Sequence, residues 1–155
     1  MGLSSISLEV WASLLGTFMA ALIGTLVPLV VLRFTHYEAA RAQLQRDLIE
    51  INRLSLEYPY LENPQFIGKY AKASPGKRSQ QEKFIRYDSY CSIWFNHIES
   101  LAAFNNYNTK KIERFLNIGE VIRAHSAWWQ VPENRKEIEL AYNQKFRQIV
   151  QKYLE

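Results

Sequence analysis

Histidine and cysteine are the side chains of this chain that could support catalysis or metal binding. The histidines are His36, His97 and His125, and none stands in the HxxxH or HExxH spacing of a helical zinc site. The single cysteine, Cys91, precedes His97 by about 240° of helical rotation, so the thiol and the imidazole would not meet. We therefore predict no catalytic residue, no metal ligand and no cofactor, and we expect a protein that is not an enzyme.

Three further sequence patterns that support chemistry are also missing: a phosphate-binding loop, a ribonuclease motif and a fixed pair of carboxylates. Gly76-Lys77 follows Ser-Pro and lacks the glycine run of a phosphate-binding loop. The arginine–histidine spacing of helical ribonucleases is absent as well. Acid pairs such as Asp88 with Glu99 have nothing to fix their separation, and we expect these carboxylates to be solvated.

Basic side chains are concentrated in residues 69–86, where the only acid is Glu82. A domain beside an anionic lipid leaflet gains about 1 kcal/mol per basic group that reaches the surface. The same cluster could instead be a solvated loop, or contact an acidic protein or RNA. Its aromatic neighbours Tyr70, Phe84 and Tyr87 follow helical core spacing rather than that of a base-stacking platform, so nucleic acid is not an expected partner. The predicted basic surface comprises Lys69, Lys72, Lys77, Arg78, Lys83 and Arg86.

Two adjacent tryptophans, Trp128 and Trp129, are the other unusual feature. Adjacent residues on a helix point about 100° apart, so one ring can enter the core while the other stays exposed. An exposed tryptophan at this position would mark a subunit contact or the membrane interface. The alternative is that both rings are buried under a helix junction.

The first part of the chain is strongly apolar. Between Leu8 and Leu32 only Glu9 carries a charge. About 20 apolar residues are enough for a helix to cross the hydrocarbon layer of a bilayer. Trp11 lies near one end of the segment and Phe34 near the other, as in aromatic belts. The segment predicts a transmembrane helix, and the missing basic flank before it argues against a cleaved signal peptide.

The charges on either side of the predicted span differ. Arg33, Arg41 and Arg46 follow it, whereas no lysine or arginine precedes it. The positive-inside rule then places the N-terminus outside and the remainder of the chain in the cytoplasm. We expect a single-pass protein of the cell inner membrane, with the lipid bilayer as its first partner.

Small residues recur at every fourth position of the span. Such spacing lets two helix backbones approach closely in lipid, which predicts a homo-oligomer. Hydroxyl-bearing side chains run beside this stripe and could line a pore if the helices formed a ring. A plain anchor with neither property is the remaining alternative. The association stripe is Ala12, Gly16, Ala20, Gly24 and Pro28, and the candidate pore lining is Ser13, Thr17 and Thr25.

The remainder of the chain shows helical periodicity without strand-like alternation. We predict an all-α protein in which residues 1–34 hold the span and residues 35–155 form a small cytoplasmic bundle of about four helices. Residues 65–78 are expected to be a connector, with a short helical turn around Phe66–Tyr70 and a turn at Ser74-Pro75-Gly76. The predicted helices run from Thr35 to Leu56, from Ser79 or Gln80 to Asn105, from Thr109 to about Trp129, and from Pro132 to Tyr153.

The layout resembles small bacterial membrane-anchored helical proteins of unknown function. The residues that carry this resemblance are Pro59-Tyr60-Leu61 after the first helix and the Trp128-Trp129 to Pro132 junction before the last one. It is also similar to the membrane-anchored accessory proteins of RNA-targeting CRISPR systems. That second resemblance implies a pore and a role in defence against phage. We expect the cytoplasmic helical domain to dock a protein partner or other copies of the chain. The alternative is a membrane-anchored enzymatic or nucleic-acid-binding domain.

Overall fold

The computed structural model describes residues 8–155, and the side chains from residue 10 onwards. These residues are helical throughout, with short turns between helices and no β-strand among them, so the all-α prediction is confirmed. The chain divides into two compact units, Met1–Ala42 and Gln43–Glu155.

The first helix, α1, runs from Leu8 to Glu57 without a break. The sequence predicted a span to Leu32 and a second helix from Thr35, and no residue between them is a helix breaker. The helix continues through Pro28, although proline lacks the N–H that an interior position normally donates. Within residues 8–155, α1 is the one helix that is long and apolar enough to cross a membrane, and its most apolar stretch is not buried.

The segment predicted as a connector, residues 65–78, is mostly helical instead. A 3-10 turn, Pro59–Glu62, leads into α2 (Pro64–Lys72), and α3 (Pro75–Gln80) follows. Proline favours the first position of a helix because its φ angle is already helical and its missing N–H is not needed there. Pro64 and Pro75 therefore begin helices, and the predicted turn at Ser74-Pro75-Gly76 coincides with the first turn of α3, where Lys77 N donates to the carbonyl oxygen of Ser74.

The central helix, α4, runs from Glu82 to Phe104 and confirms the aromatic helix predicted from the sequence. Its buried side chains cover an arc of about 160° on a helical wheel, which is wider than the stripe of a surface helix. After Asn105, the residues Asn106 and Tyr107 adopt left-handed backbone conformations with φ of 53° and 58°. The helix ends where the sequence predicted, and Asn106 is a residue type that tolerates the left-handed conformation.

The C-terminal part of the chain is divided more finely than the sequence predicted. The two helices expected after Asn108 are five in the structure, with a 3-10 turn at Pro132–Asn134, so a four-helix bundle is not confirmed. Two asparagines start new helices, because the side chain of Asn117 accepts from Glu120 N and that of Asn143 accepts from Phe146 N. The helices are α5 (Thr109–Ile112), α6 (Ile118–Ala124), α7 (Ser126–Gln130), α8 (Arg135–Ala141) and α9 (Gln144–Leu154).

Arg78 was predicted to belong to the basic surface, but its guanidinium is buried. Nη1 donates to the carbonyl oxygens of Tyr70, at 3.1 Å, and of Ala73, while Nη2 lies 2.7 Å from Glu133 Oε2. The guanidinium carbon is also 5.5 Å from the centre of the Tyr70 ring. The neighbouring Lys77 is exposed, so these two cations of α3 have different roles.

We predict that Arg78→Ala lowers the free energy of unfolding by about 3 kcal/mol, because it removes the partners of buried carbonyl oxygens and of Glu133. Lys77→Ala is the matched control and should change it by less than about 0.5 kcal/mol. Urea unfolding of the full-length chain in mild detergent, followed by tryptophan fluorescence, measures both. Equal effects of the two substitutions would contradict the structural role of Arg78.

Candidate functional site

Four polar side chains meet in the unit formed by residues 43–155, three of them buried and the fourth, Glu62, partly exposed at the surface. Tyr87 and Tyr90 come from the buried face of α4, Glu62 ends the 3-10 turn before α2, and His125 lies at the junction of α6 and α7. Both tyrosines and the histidine are no more than 1% exposed. We call these four residues the polar cluster.

The histidine is the centre of the polar cluster. His125 Nδ1 lies 3.1 Å from the Tyr87 hydroxyl, and Nε2 lies 3.4 Å from Glu62 Oε1. The Tyr90 hydroxyl donates to the same carboxylate oxygen. A carboxylate can only accept, so the neutral imidazole that fits this geometry carries its proton on Nε2 and accepts from Tyr87 at Nδ1.

The protonation equilibria of these groups follow from their contacts. His125 and the Tyr90 hydroxyl hold the pKa of the Glu62 carboxyl below its usual value, while partial burial acts in the opposite direction. Burial raises the pKa of Tyr87, and burial together with the hydrogen bond to Glu62 raises that of Tyr90. Glu62 is therefore held as a carboxylate and both tyrosines as neutral donors.

Many hydrolases activate a nucleophilic hydroxyl through hydrogen bonds that link it to an imidazole and then to a carboxylate. Here the hydroxyl belongs to Tyr87, which is completely buried, so no substrate could reach it without unfolding of the surrounding core. Burial also raises the Tyr87 pKa, which opposes formation of a phenolate. The polar cluster in this conformation fixes the packing of α4 against its neighbours.

A second group of polar contacts lies on the adjacent side of α4. The Tyr70 hydroxyl donates to Asp88, and Asn134 Nδ2 lies 3.4 Å from the same hydroxyl. The Asn134 amide also donates to the carbonyl oxygen of Trp128 at 2.9 Å. Burial raises the pKa of Asp88 against the opposing effect of the Tyr70 hydrogen bond. These contacts join the 132–134 turn to α2 and α4.

The thiol and the remaining buried imidazole are not members of the polar cluster, although Cys91 lies beside Tyr87. Burial raises the pKa of the Cys91 thiol, which reduces its reactivity. Burial lowers the pKa of His97, and its Nδ1 has no hydrogen-bond partner among the described residues. Within residues 8–155, no group of three His, Cys, Asp or Glu side chains is close enough to hold a metal ion.

The predicted basic surface is reduced in the structure. Arg78 is buried and is therefore not part of this surface. Arg86 is half-buried: its guanidinium lies 4.2 Å from the Tyr58 ring centre and donates to the Tyr60 hydroxyl at 3.1 Å. The lysines remain exposed, although the Lys83 ammonium lies 5.3 Å from the Tyr60 ring centre. The exposed members are Lys69, Lys72, Lys77 and Lys83.

The paired tryptophans are separated by burial. Trp128 is 1% exposed and stacks on Phe95 at a centroid distance of 5.2 Å, so it belongs to the core. Trp129 is half-buried and contacts Phe95, Tyr142 and Phe146 with its ring. Trp128 is therefore too buried to form the predicted interface contact. Part of Trp129 still reaches the surface.

The predicted association and pore residues all lie on the exposed surface of α1. A Cβ atom added at Gly16 or Gly24 would meet nothing within 4 Å. The Thr17 hydroxyl donates to the carbonyl oxygen of Ser13, and the Thr25 hydroxyl donates to that of Ala21, both at 2.9 Å. Both threonine hydroxyls therefore donate within their own helix. A helix that only anchors the chain in lipid would need the same hydrogen bonds, so these contacts do not distinguish a pore from an anchor.

Comparison with protein-family models, with curated proteins and with solved structures finds no match for this chain. The resemblance to small bacterial membrane-anchored proteins, carried by Pro59-Tyr60-Leu61 and the tryptophan junction, therefore stays a prediction. Sequence reasoning did not find the polar cluster. Helical spacing placed Tyr87 on the buried face of α4, but nothing in the sequence pairs it with His125 or Glu62.

We predict that the free energy of unfolding falls in acid partly through Glu62. Its folded-state pKa is lowered, so the stabilisation is present above the unfolded-state value and is lost as pH falls through the folded-state value. Glu62→Gln should cost about 1 kcal/mol at pH 7, allowing for the partial exposure of the carboxylate, and the difference should vanish in acid. Urea unfolding between pH 3 and pH 7 measures this, with exposed Glu38→Gln as control. A constant difference across that range would contradict the assignment.

Proposed function

We propose that this chain is a single-pass inner-membrane protein that self-associates through α1 and presents its helical C-terminal unit to the cytoplasm for interaction. The observation that carries the proposal is the unburied apolar surface of α1. Apart from Leu22, the large hydrophobic side chains from Val10 to Leu32 are each about half exposed or more. They surround the helix rather than forming a stripe.

An apolar circumference of this kind has a specific physical meaning. A helix that packs on a soluble core needs one apolar face, whereas a helix in lipid is apolar all round. Each exposed apolar Å² costs about 25 cal/mol in water, so this surface favours transfer of the helix into lipid. Trp11 and Phe34 lie near the two ends of the apolar stretch, which supports a span bounded by aromatic residues.

The proposed orientation depends on flanking charge. Arg33, Arg41 and Arg46 lie on the C-terminal side of the apolar stretch, and Glu9 is the charge on the other side. Positive flanks are retained in the cytoplasm during insertion, which supports an external N-terminus. The unit beginning at Gln43 would then lie in the cytoplasm.

Self-association is supported by glycines that the chain itself does not require. Glycine in a helix costs about 1 kcal/mol relative to alanine in water. Neither Gly16 nor Gly24 makes room for another part of the chain, because their Cβ positions are open. Their spacing, with Ala20 between them, supports close approach of a second copy of α1.

The cytoplasmic unit supplies the proposed interaction surface. Its exposed lysines, including Lys69 and Lys72 at the end of α2, have no salt bridge among the described side chains. Free ammonium groups attract acidic proteins or the anionic lipid leaflet. A non-enzymatic docking role is favoured over a catalytic one because the polar cluster is closed to substrate.

We predict that the chain has its N-terminus outside the inner membrane. In intact cells, a membrane-impermeant maleimide should label Ser4→Cys, and it should label Lys152→Cys only after the cells are permeabilised. The native Cys91 is buried with a raised pKa and serves as an unreactive background. The opposite labelling pattern would contradict the predicted topology. Recovery of the unmodified chain in the supernatant after carbonate extraction would contradict the predicted membrane anchor.

We predict that Gly16→Leu with Gly24→Leu reduces cross-linked oligomer at least fivefold, because the added side chains hold the helices apart. The control doublet Leu15→Phe with Leu22→Phe enlarges the opposite side of the helix and should leave the oligomer unchanged. Cross-linking in membranes followed by gel electrophoresis measures both. A similar loss in the control, or none in the glycine doublet, would exclude the small-residue stripe as the contact.

A further inference from the structure

A cleft of about 570 Å³ lies in the C-terminal unit, away from the polar cluster. It is formed by the end of α7, the 132–134 turn, α8 and α9. Its apolar wall comes from Trp129, Val131, Ile138 and Leu154, and two arginines, Arg135 and Arg147, also line it. A volume of this size suits a small organic ligand.

Arg147 distinguishes this cleft from an ordinary surface depression. Its Nε is buried and has no hydrogen-bond partner among the described residues. Its guanidinium also forms no salt bridge with a described carboxylate. Arginine cannot lose its proton at physiological pH, so the charge has to be compensated by water or by a ligand. Buried polar groups in folded proteins are usually paired. The side chain of Arg147 as a whole is half-buried and lines the cleft, so a ligand there would contact its accessible part.

The charges around the cleft limit the ligand further. Arg135 Nε lies 3.3 Å from Glu139 Oε1, so that pair is neutral overall. Arg147 therefore leaves the cleft with one uncompensated positive charge. A guanidinium presents parallel N–H donors that match the two oxygens of a carboxylate. The apolar wall beside it would cover a hydrocarbon body.

We infer that this cleft binds a small amphipathic monocarboxylate, with Arg147 receiving the carboxylate and Trp129 contacting the apolar body. This inference does not depend on the membrane anchor or on self-association. Trp129 also provides a direct readout, because it lines the cleft and is half-buried.

The test uses 4-phenylbutyrate and its neutral amide, 4-phenylbutyramide, with the full-length chain in phosphatidylcholine nanodiscs. Saturation-transfer NMR and tryptophan fluorescence should show the acid binding with a dissociation constant below about 1 mM. The amide should bind at least tenfold more weakly, because it cannot form the charge-assisted pair. Equal binding of acid and amide, or no binding of the acid, would overturn the inference without any variant.

Variants locate the binding site. Arg147→Gln should weaken binding of the acid at least tenfold and leave amide binding unchanged. Arg147→Lys keeps the positive charge but lacks the parallel N–H donors of the guanidinium, so it should give an intermediate loss of affinity. This variant replaces Arg147→Gln in the test if the glutamine variant is unfolded. Arg114→Gln removes an exposed arginine elsewhere and should bind the acid normally. Normal binding by both Arg147 variants, or tighter binding of 3-phenylpropylphosphonate than of the acid, would contradict a monocarboxylate at Arg147.

Discussion

Burial of α4 is the constraint on which the unit from Gln43 to Glu155 depends. This helix carries ten buried residues over about 160° of its circumference, so neighbouring elements have to cover it from several sides. A buried helix face offers little water to its polar atoms, so a protein partner stabilises each polar atom that has one, although His97 Nδ1 has none among the described residues. The Tyr87 and Tyr90 hydroxyls therefore define where His125 and Glu62 must lie. The helices around α4 are short because each covers only part of this arc.

The same constraint explains why groups associated with catalysis are structural here. Tyr87, His125 and Glu62 have residue types and contacts that could transfer protons, but the core covers the hydroxyl completely. Their hydrogen bonds instead offset the cost of burying polar atoms between α4 and the α6–α7 junction. Arg78 acts in the same way for the carbonyl oxygens at the end of α2. In contrast, the guanidinium of Arg147 has no such partner within the described chain, and it lies beside a cleft.

Sequence patterns were informative where a single helix determines the outcome. The period of Phe84, Cys91 and Phe95 predicted α4 and its buried face, and the Asn105-Asn106 pair predicted its end. Patterns were less informative where two local signals competed. Pro75 was interpreted as part of a turn in a connector, but it begins a helix, because proline can end one helix and also start the next. Asn117 and Asn143 divided predicted long helices since capping depends on backbone geometry as well as residue type.

The sequence alone determined the all-α class, the apolar length of α1 and the absence of known catalytic spacings, because these depend on residue order along one helix. Only the tertiary structure decided which polar residues are paired. Glu62 and His125 are 63 positions apart, and Arg78 and Glu133 are 55 apart, so no local pattern relates them. It also distinguished Arg78 from Lys77 and Trp128 from Trp129. Neighbours in sequence share composition and propensity, but their burial is set by the elements that pack against them.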